Sequence, residues 1–174
     1  TIENYLRMVR KCPVLSREEE RELAIKYQKT KDPKLAKQLV QANLRFVLKI
    51  AHTFRGYGME FADLVQEGNV GLMIAVGKFE PERGYRLISY AAWWIRSYIQ
   101  KYIMHSWSLV KIGTTRWQRK LFYNLRSKRE KAERELGREL NAEELAEVLD
   151  IPENEVTAMG LRLASRDFSL DVNI

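Results

Sequence analysis

Ile88-Ser89-Tyr90-Ala91-Ala92-Trp93-Trp94-Ile95-Arg96-Ser97-Tyr98-Ile99-Gln100-Lys101-Tyr102-Ile103-Met104-His105 spaces its apolar residues at three and four, the period of an α-helix and not of a strand. At about 100° per residue, Ile88, Ala91, Ala92, Ile95, Ile99, Tyr102 and Ile103 gather on one side, which is expected to face a core. The opposite side carries Tyr90, Trp93, Ser97, Gln100 and Lys101, with Ser89, Arg96 and Trp94 at its edges. Rings on that side either pack against another helix or bind something. Arg96 and Lys101 stand ready for phosphates, and Ser97 and Gln100 for base edges, which turns the balance toward recognition.

The helix lies in a longer stretch of one chemical character. Residues 85–129 contain no aspartate or glutamate but hold ten of the thirty lysines and arginines, ten of the eighteen aromatics and all four tryptophans, Trp93, Trp94, Trp107 and Trp117. Their formal charge of +10 against +7 for the whole chain leaves −3 elsewhere, so the basicity is local. Cations among large flat rings suit a polyanion with accessible bases, because phosphates need positive charge and unstacked bases need a ring to lie on. Nucleic acid, single-stranded at some point, is the expected partner.

Helical punctuation continues on both sides, and the fold is expected to be all-α. A short first helix ends at Pro13; Ser16-Arg17-Glu18-Glu19 is a capping box that opens a second. Asp32-Pro33 caps a third with a wide apolar stripe, Leu35, Leu39, Val40, Leu44, Val47, Leu48 and Ala51, broken at Arg55-Gly56-Tyr57-Gly58. A fourth helix is expected over residues 61–79, followed by the loop Glu80-Pro81-Glu82-Arg83-Gly84. Beyond the aromatic helix and a loop at Lys111-Ile112-Gly113, Thr114 or Thr115 caps a helix running into a charge-dense, solvated segment at residues 127–139. Asn141-Ala142-Glu143-Glu144 repeats the capping box, and a second short helix begins after Ile151-Pro152, giving a hairpin like a helix-turn-helix. As a bare pattern this hairpin is as compatible with simple helix packing as with DNA contact.

Composition closes off other classes. A chain of 174 residues, 45% hydrophobic, can bury a core as one domain, or one domain with a small satellite. Cys12 alone excludes an intramolecular disulfide, and with only His52 and His105 there is little metal chemistry; Asp63 and Glu67 stand four apart but without a histidine nearby. No cofactor is implied. The sequence has neither a membrane-spanning apolar run nor a signal-peptide pattern, and a cytoplasmic location is expected. Starting at Thr1 and stopping at Asp171-Val172-Asn173-Ile174, it reads as a piece of a longer protein. A nuclease or other nucleic-acid enzyme is disfavoured, because clustered carboxylates with histidine, a phosphate-cradling glycine loop and a nucleophile with a base are all missing.

Three segments, Ala42-Asn43-Leu44-Arg45-Phe46-Val47, then Asp63-Leu64-Val65-Gln66-Glu67-Gly68-Asn69-Val70-Gly71-Leu72-Met73, then Tyr90-Ala91-Ala92-Trp93-Trp94-Ile95-Arg96, resemble in that order the bacterial sigma-70 family of transcription initiation factors. The heat-shock branch is the most similar, through Gln118-Arg119-Lys120-Leu121-Phe122-Tyr123-Asn124-Leu125-Arg126, Trp107-Ser108-Leu109-Val110-Lys111 and Ser165-Arg166-Asp167-Phe168-Ser169-Leu170-Asp171. The resemblance implies three parts: residues 1–106 as the end of region one plus region two, 107–165 as a small helical region-three domain, and 166–174 as the start of a linker. The region that reads the minus-thirty-five element would lie outside this sequence.

The resemblance also implies roles. Asp63, Leu64, Gln66, Glu67, Asn69, Leu72 and Met73 would dock on the β′ clamp helices of core RNA polymerase, as an apolar anchor with a polar rim. Phe79, Glu80, Arg83, Tyr85, Ser89 and Tyr90 would form the pocket for a flipped adenine of the minus-ten non-template strand. Trp93 and Trp94 would wedge at the upstream fork, and Arg96 and Lys101 would serve phosphates. Ser97 and Gln100 occupy the positions that read the upstream end of the minus-ten duplex, where primary members carry glutamine and threonine, which implies a different preferred promoter. A downstream base would sit near Asn43, Phe46 and Arg86, although Ile88 stands where primary members have serine. Thr115 and Gln118 replace the extended minus-ten contacts of primary members. Chaperones and a protease acting through residues 35–54 are further partners that the branch implies. The alternative from another class is a free-standing regulator that binds duplex DNA through the hairpin at 141–164.

Overall fold

The computed structural model describes residues 2–107, 115–138 and 140–164, and among them the secondary structure is helical throughout. Eight α-helices follow in order: α1 Ile2–Lys11, α2 Arg17–Thr30, α3 Pro33–His52, α4 Phe61–Lys78, α5 Leu87–Ser106, α6 Arg116–Leu136, α7 Ala142–Leu149 and α8 Glu153–Ala164. Short 3-10 turns at Arg55–Tyr57 and Pro81–Arg83 link α3 to α4 and α4 to α5. The expected all-α architecture is what the structure has. The loop at 111–113, Thr114 and the segment 165–174 lie outside the described residues, as does the Trp117 side chain.

The caps form as the sequence expects. Ser16 Oγ accepts from the Glu19 amide at 3.2 Å while Glu19 Oε2 accepts from the Ser16 amide at 2.8 Å, so two amides left over at the start of α2 are satisfied reciprocally. Asp32 Oδ1 accepts from the Lys34 amide at 2.8 Å with Pro33 in the first turn of α3. Asn141 and Glu144 repeat the box at α7, at 2.8 and 3.1 Å. Of the two threonines expected to cap α6, Thr115 does so, its hydroxyl accepting from the Gln118 amide at 3.2 Å.

The chain forms two compact units, Thr1–Ile103 and Met104–Ile174. In the first, α3 packs on α2 and α4, and Leu39, Val47, Leu64, Val65, Leu72, Ile95, Ile99 and Ile103 are among its buried residues. The buried stripe of α5 is Leu87, Ala91, Ile95, Ile99 and Ile103; Ile88, Ala92 and Tyr102, expected in the core, are only half-buried. The stripe keeps the expected direction but is narrower, and it begins one residue earlier, at Leu87. In the second unit, Leu121 and Leu125 of α6 close over Leu145, Leu149, Val156 and Met159 of the α7–α8 hairpin. Phe122 of α6 is buried as well.

Candidate functional site

The exposed side of α5 is built upward from a buried ring. Phe79, at the end of α4, is inside the structure, and Tyr85 and Tyr90 lean on it with ring centroids at 6.0 and 6.2 Å and on each other at 6.3 Å. Trp94 continues the row edge-on to Tyr90 at 6.3 Å, and Lys78 lies over its indole at 4.6 Å. Such offset and edge contacts fix ring planes as well as burying area. Trp93, one residue earlier, is 73% exposed. The two tryptophans expected to act together therefore differ: Trp94 is packed and Trp93 stands free in solvent.

The loop before α5 is tied down at both ends. Arg83 Nε bonds Glu80 Oε2 at 2.6 Å, which holds the guanidinium above its ordinary pKa, and Gly84 turns the chain at φ 80°. Arg17 Nη2 donates to the Gly84 carbonyl at 2.9 Å. Beneath, the buried carboxylate of Glu20 accepts from Arg86 Nε at 2.9 Å, from Arg86 Nη2 at 3.2 Å and from the Leu87 amide at 3.0 Å. The hydrogen bond to Glu20 raises the Arg86 pKa. A carboxylate at the first amide of α5 also meets the positive end of the helix dipole. Arg17, Arg21, Phe79, Tyr85 and Arg86 line a cavity of about 270 Å³ beside this anchor.

Not every expected contact residue reaches the surface. Phe79 can support a bound base only through Tyr85 and Tyr90. Asn43 is 2% exposed and spends its amide on the Leu39 carbonyl at 2.9 Å, one turn back in its own helix. The site expected around Asn43, Phe46 and Arg86 therefore presents Phe46, which is exposed, and an Arg86 already engaged by Glu20. Ser89, Arg96, Ser97 and Lys101 are exposed along α5 and Gln100 is half-buried; among the described residues no carboxylate lies within ion-pair distance of Arg96 or Lys101.

A second face lies on α4. Asp63, Gln66, Val70 and Met73 recur along its exposed side, with Glu67 and Asn69 half-buried at the edges. Leu64 and Leu72, expected on this face, are 0% exposed interior residues, both about 140° around the helix from the centre of that exposed stripe. The exposed apolar side chains of this face are Met73, 52% exposed, and Val70, which is absent from the expected contact residues. Two phenols reach this face from neighbouring helices. Tyr5 of α1 donates to Asn69 Oδ1 at 3.1 Å and accepts from its Nδ2 at 2.9 Å, and that nitrogen also lies 3.2 Å from Gln66 Oε1. Tyr102 of α5 donates to Asp63 Oδ2 at 3.0 Å. Glu20, Tyr5 and Lys78 were missed from sequence because their partners are remote in the chain; no local pattern marks them.

The hairpin of the second unit is chemically different. Residues 141–164 hold six carboxylates, Glu143, Glu144, Glu147, Asp150, Glu153 and Glu155, against the single cation Arg162. Glu143, Glu147, Asp150 and Glu153 are exposed. A surface of that sign repels phosphates. Thr115 and Gln118 are joined in the α6 cap, where the Thr115 amide also faces Gln118 Oε1 at 3.4 Å.

Two family models match the chain: "Sigma-70 factor, region 1.2" over residues 1–32 and "Sigma-70 region 2" over residues 39–108. Among curated proteins it is 47% identical over 174 residues to the RNA polymerase sigma-C factor of Myxococcus xanthus, an alignment covering 98% of this chain and 59% of that protein. It is 45% identical to RNA polymerase sigma factor RpoH of Caulobacter vibrioides, over 98% of this chain and 59% of that one. Identity to RNA polymerase sigma factor RpoH of Zymomonas mobilis is also 45%, over 100% and 59%. The chain thus spans about 59% of the length of these relatives.

Proposed function

The chain belongs to the sigma-70 family, and from that premise we propose that it directs core RNA polymerase to promoters, docking through α4 and capturing bases of the minus-ten non-template strand on α5. Residues 1–106 carry both tasks in this reading, and residues 107–165 form the region-three module. The observation that carries it is the Trp93 ring, exposed on a helix whose opposite side is fully buried and flanked by the exposed cations Arg96 and Lys101. A promoter base freed from the duplex needs a stacking surface in place of its lost neighbour. Unstacking costs a few kcal/mol while an aromatic ring returns about 1–3 kcal/mol per base, so capture offsets opening without ATP. Tyr85 and Tyr90, braced on Phe79, supply the ring surface of the adenine pocket, and Glu80 and Arg83 its polar edge.

Ser97 and Gln100 face the duplex end of the minus-ten element in this reading, giving a promoter preference distinct from that of primary sigma factors. Membership of the heat-shock branch rests on the resemblance of residues 107–111 and 118–126, and the relatives named RpoH accord with it. Control by chaperones and a protease through α3 belongs to the same proposal. Among the described residues no helix is long and apolar enough to cross a membrane. The acidic surface of α7 and α8 disfavours the alternative of a free regulator reading duplex DNA through that hairpin.

The test is to combine the full-length protein with core polymerase and map transcript starts across a genome. Discrete starts downstream of a shared minus-ten sequence are expected; starts no different from those of core polymerase alone would refute the reading.

A further inference from the structure

We propose that Tyr5 and Tyr102 are positioning residues of the polymerase-docking face, each holding one polar group of α4 in the orientation that the partner helices meet. The inference rests on the docking role of α4 given above and adds residues from two other helices to it. Asp63 and Asn69 lie on opposite flanks of the exposed α4 stripe, six residues apart, and each is met by a phenol from a different helix. Tyr102 approaches from α5 and bonds Asp63 Oδ2 at 3.0 Å, while Tyr5 approaches from α1 and contacts both ends of the Asn69 amide, at 3.1 and 2.9 Å. Through the same amide nitrogen, Gln66 Oε1 is drawn in at 3.2 Å.

An exposed Asp or Gln side chain samples several rotamers, and a partner that needs one of them must freeze it out on binding. A hydroxyl already bonded to that side chain takes up part of this ordering beforehand, and an acceptor oxygen retains a free lone pair for the partner. The half-buried Tyr5 ring makes its phenol a stable fixture: burial pushes its pKa up, partly offset by the hydrogen bond with Asn69, so it stays protonated and can donate. Val70 and Met73 form the exposed apolar strip of the same face. The arrangement fits a partner helix that presents apolar side chains to the strip and hydrogen-bond donors, basic ones included, to Asp63 and Asn69.

The experiment measures the affinity of full-length protein for core RNA polymerase in two double-mutant cycles, Tyr5→Phe with Asn69→Ala and Tyr102→Phe with Asp63→Ala. Each tyrosine substitution alone is expected to weaken binding about 3- to 10-fold, the range that follows from losing one hydrogen bond. In the alanine background each is expected to change nothing further. A role confined to holding α1 or α5 in place predicts the same loss in both backgrounds, and that result, or wild-type affinity for either single tyrosine variant, overturns the proposal. If Asn69→Ala, Asp63→Ala and Gln66→Ala themselves leave affinity unchanged, the docking role of α4 fails first and the tyrosine assignment with it.

Discussion

Gly71 of α4 sits against the backbone of α5 so closely that a Cβ on it would lie 2.7 Å from the Trp94 carbonyl oxygen. The helix proposed to dock on polymerase and the helix that carries the exposed Trp93 ring therefore meet backbone to backbone, at Trp94 and Ile95. Gly68, one turn earlier, meets side chains instead, with Val47 Cγ1 at 2.6 Å from its virtual Cβ.

That difference sets the first prediction. Gly71→Ala forces two backbones apart, and it should lower the stability of the protein by about 3 kcal/mol, at or above the upper range for overpacking a core. Gly68→Ala needs only Val47, Ile95 and Ile99 to shift, and should cost about 1 kcal/mol. Denaturant unfolding of both variants gives the order directly. Equal losses would mean that the α4–α5 contact yields as easily as a side chain.

Glu20 is the second. Its carboxylate is buried and accepts three hydrogen bonds at the start of α5, so Glu20→Ala leaves the Leu87 amide and the Arg86 guanidinium without their acceptor. Arg86 is 38% exposed and can turn to water, which limits the loss to about 2–3 kcal/mol. Glu20→Gln, which keeps an oxygen for the Leu87 amide, should cost about half as much. Thermal unfolding separates the two; a Gln variant as damaged as the Ala variant would place the stabilisation in the charge alone.

The two tryptophans give the third. Trp94 packs on Tyr90 beneath Lys78, so Trp94→Ala should lower both stability and DNA capture. Trp93 touches little in the free protein, and Trp93→Ala should leave the unfolding midpoint within about 0.5 kcal/mol of wild type. A large loss of stability from Trp93→Ala would show that its ring is a packing residue.

On α4, Met73→Ala and the pair Gln66→Ala with Glu67→Ala should weaken association with core polymerase, the methionine by about tenfold as a central apolar anchor. Affinity is measured with purified core enzyme. Unchanged binding for all three sites would remove the docking face.

Much of the architecture was legible because its causes are local. Ser16, Asp32 and Asn141 each satisfy amides two or three residues away, and their pattern is written in consecutive letters. The free side of α5 followed from a wheel, which needs only the helical period. What a wheel cannot supply is the partner. Glu20 follows the capping box with no local mark of its role, and only Arg86, 66 residues on, makes it a buried anchor. The family resemblance places Leu64 and Leu72 on the docking face, while the interior of α4 is fixed by α3 and by the glycines that admit α5. Nothing local in the sequence shows that the Asn43 amide is held by the Leu39 carbonyl and buried. Tyr5 and Asn69, 64 residues apart, left no trace in either local pattern.

The most direct test of the division between α4 and α5 takes wild type, Trp93→Ala and Met73→Ala through one pair of titrations, first with core polymerase and then, as assembled holoenzyme, with forked DNA whose minus-ten non-template strand is unpaired. Trp93→Ala is expected to bind core polymerase as wild type does and to lose about tenfold or more in affinity for the fork, the value of one stacked base. Met73→Ala is expected to do the reverse, losing core affinity while its assembled holoenzyme holds the fork normally. Parallel losses in both titrations for both variants would contradict the account.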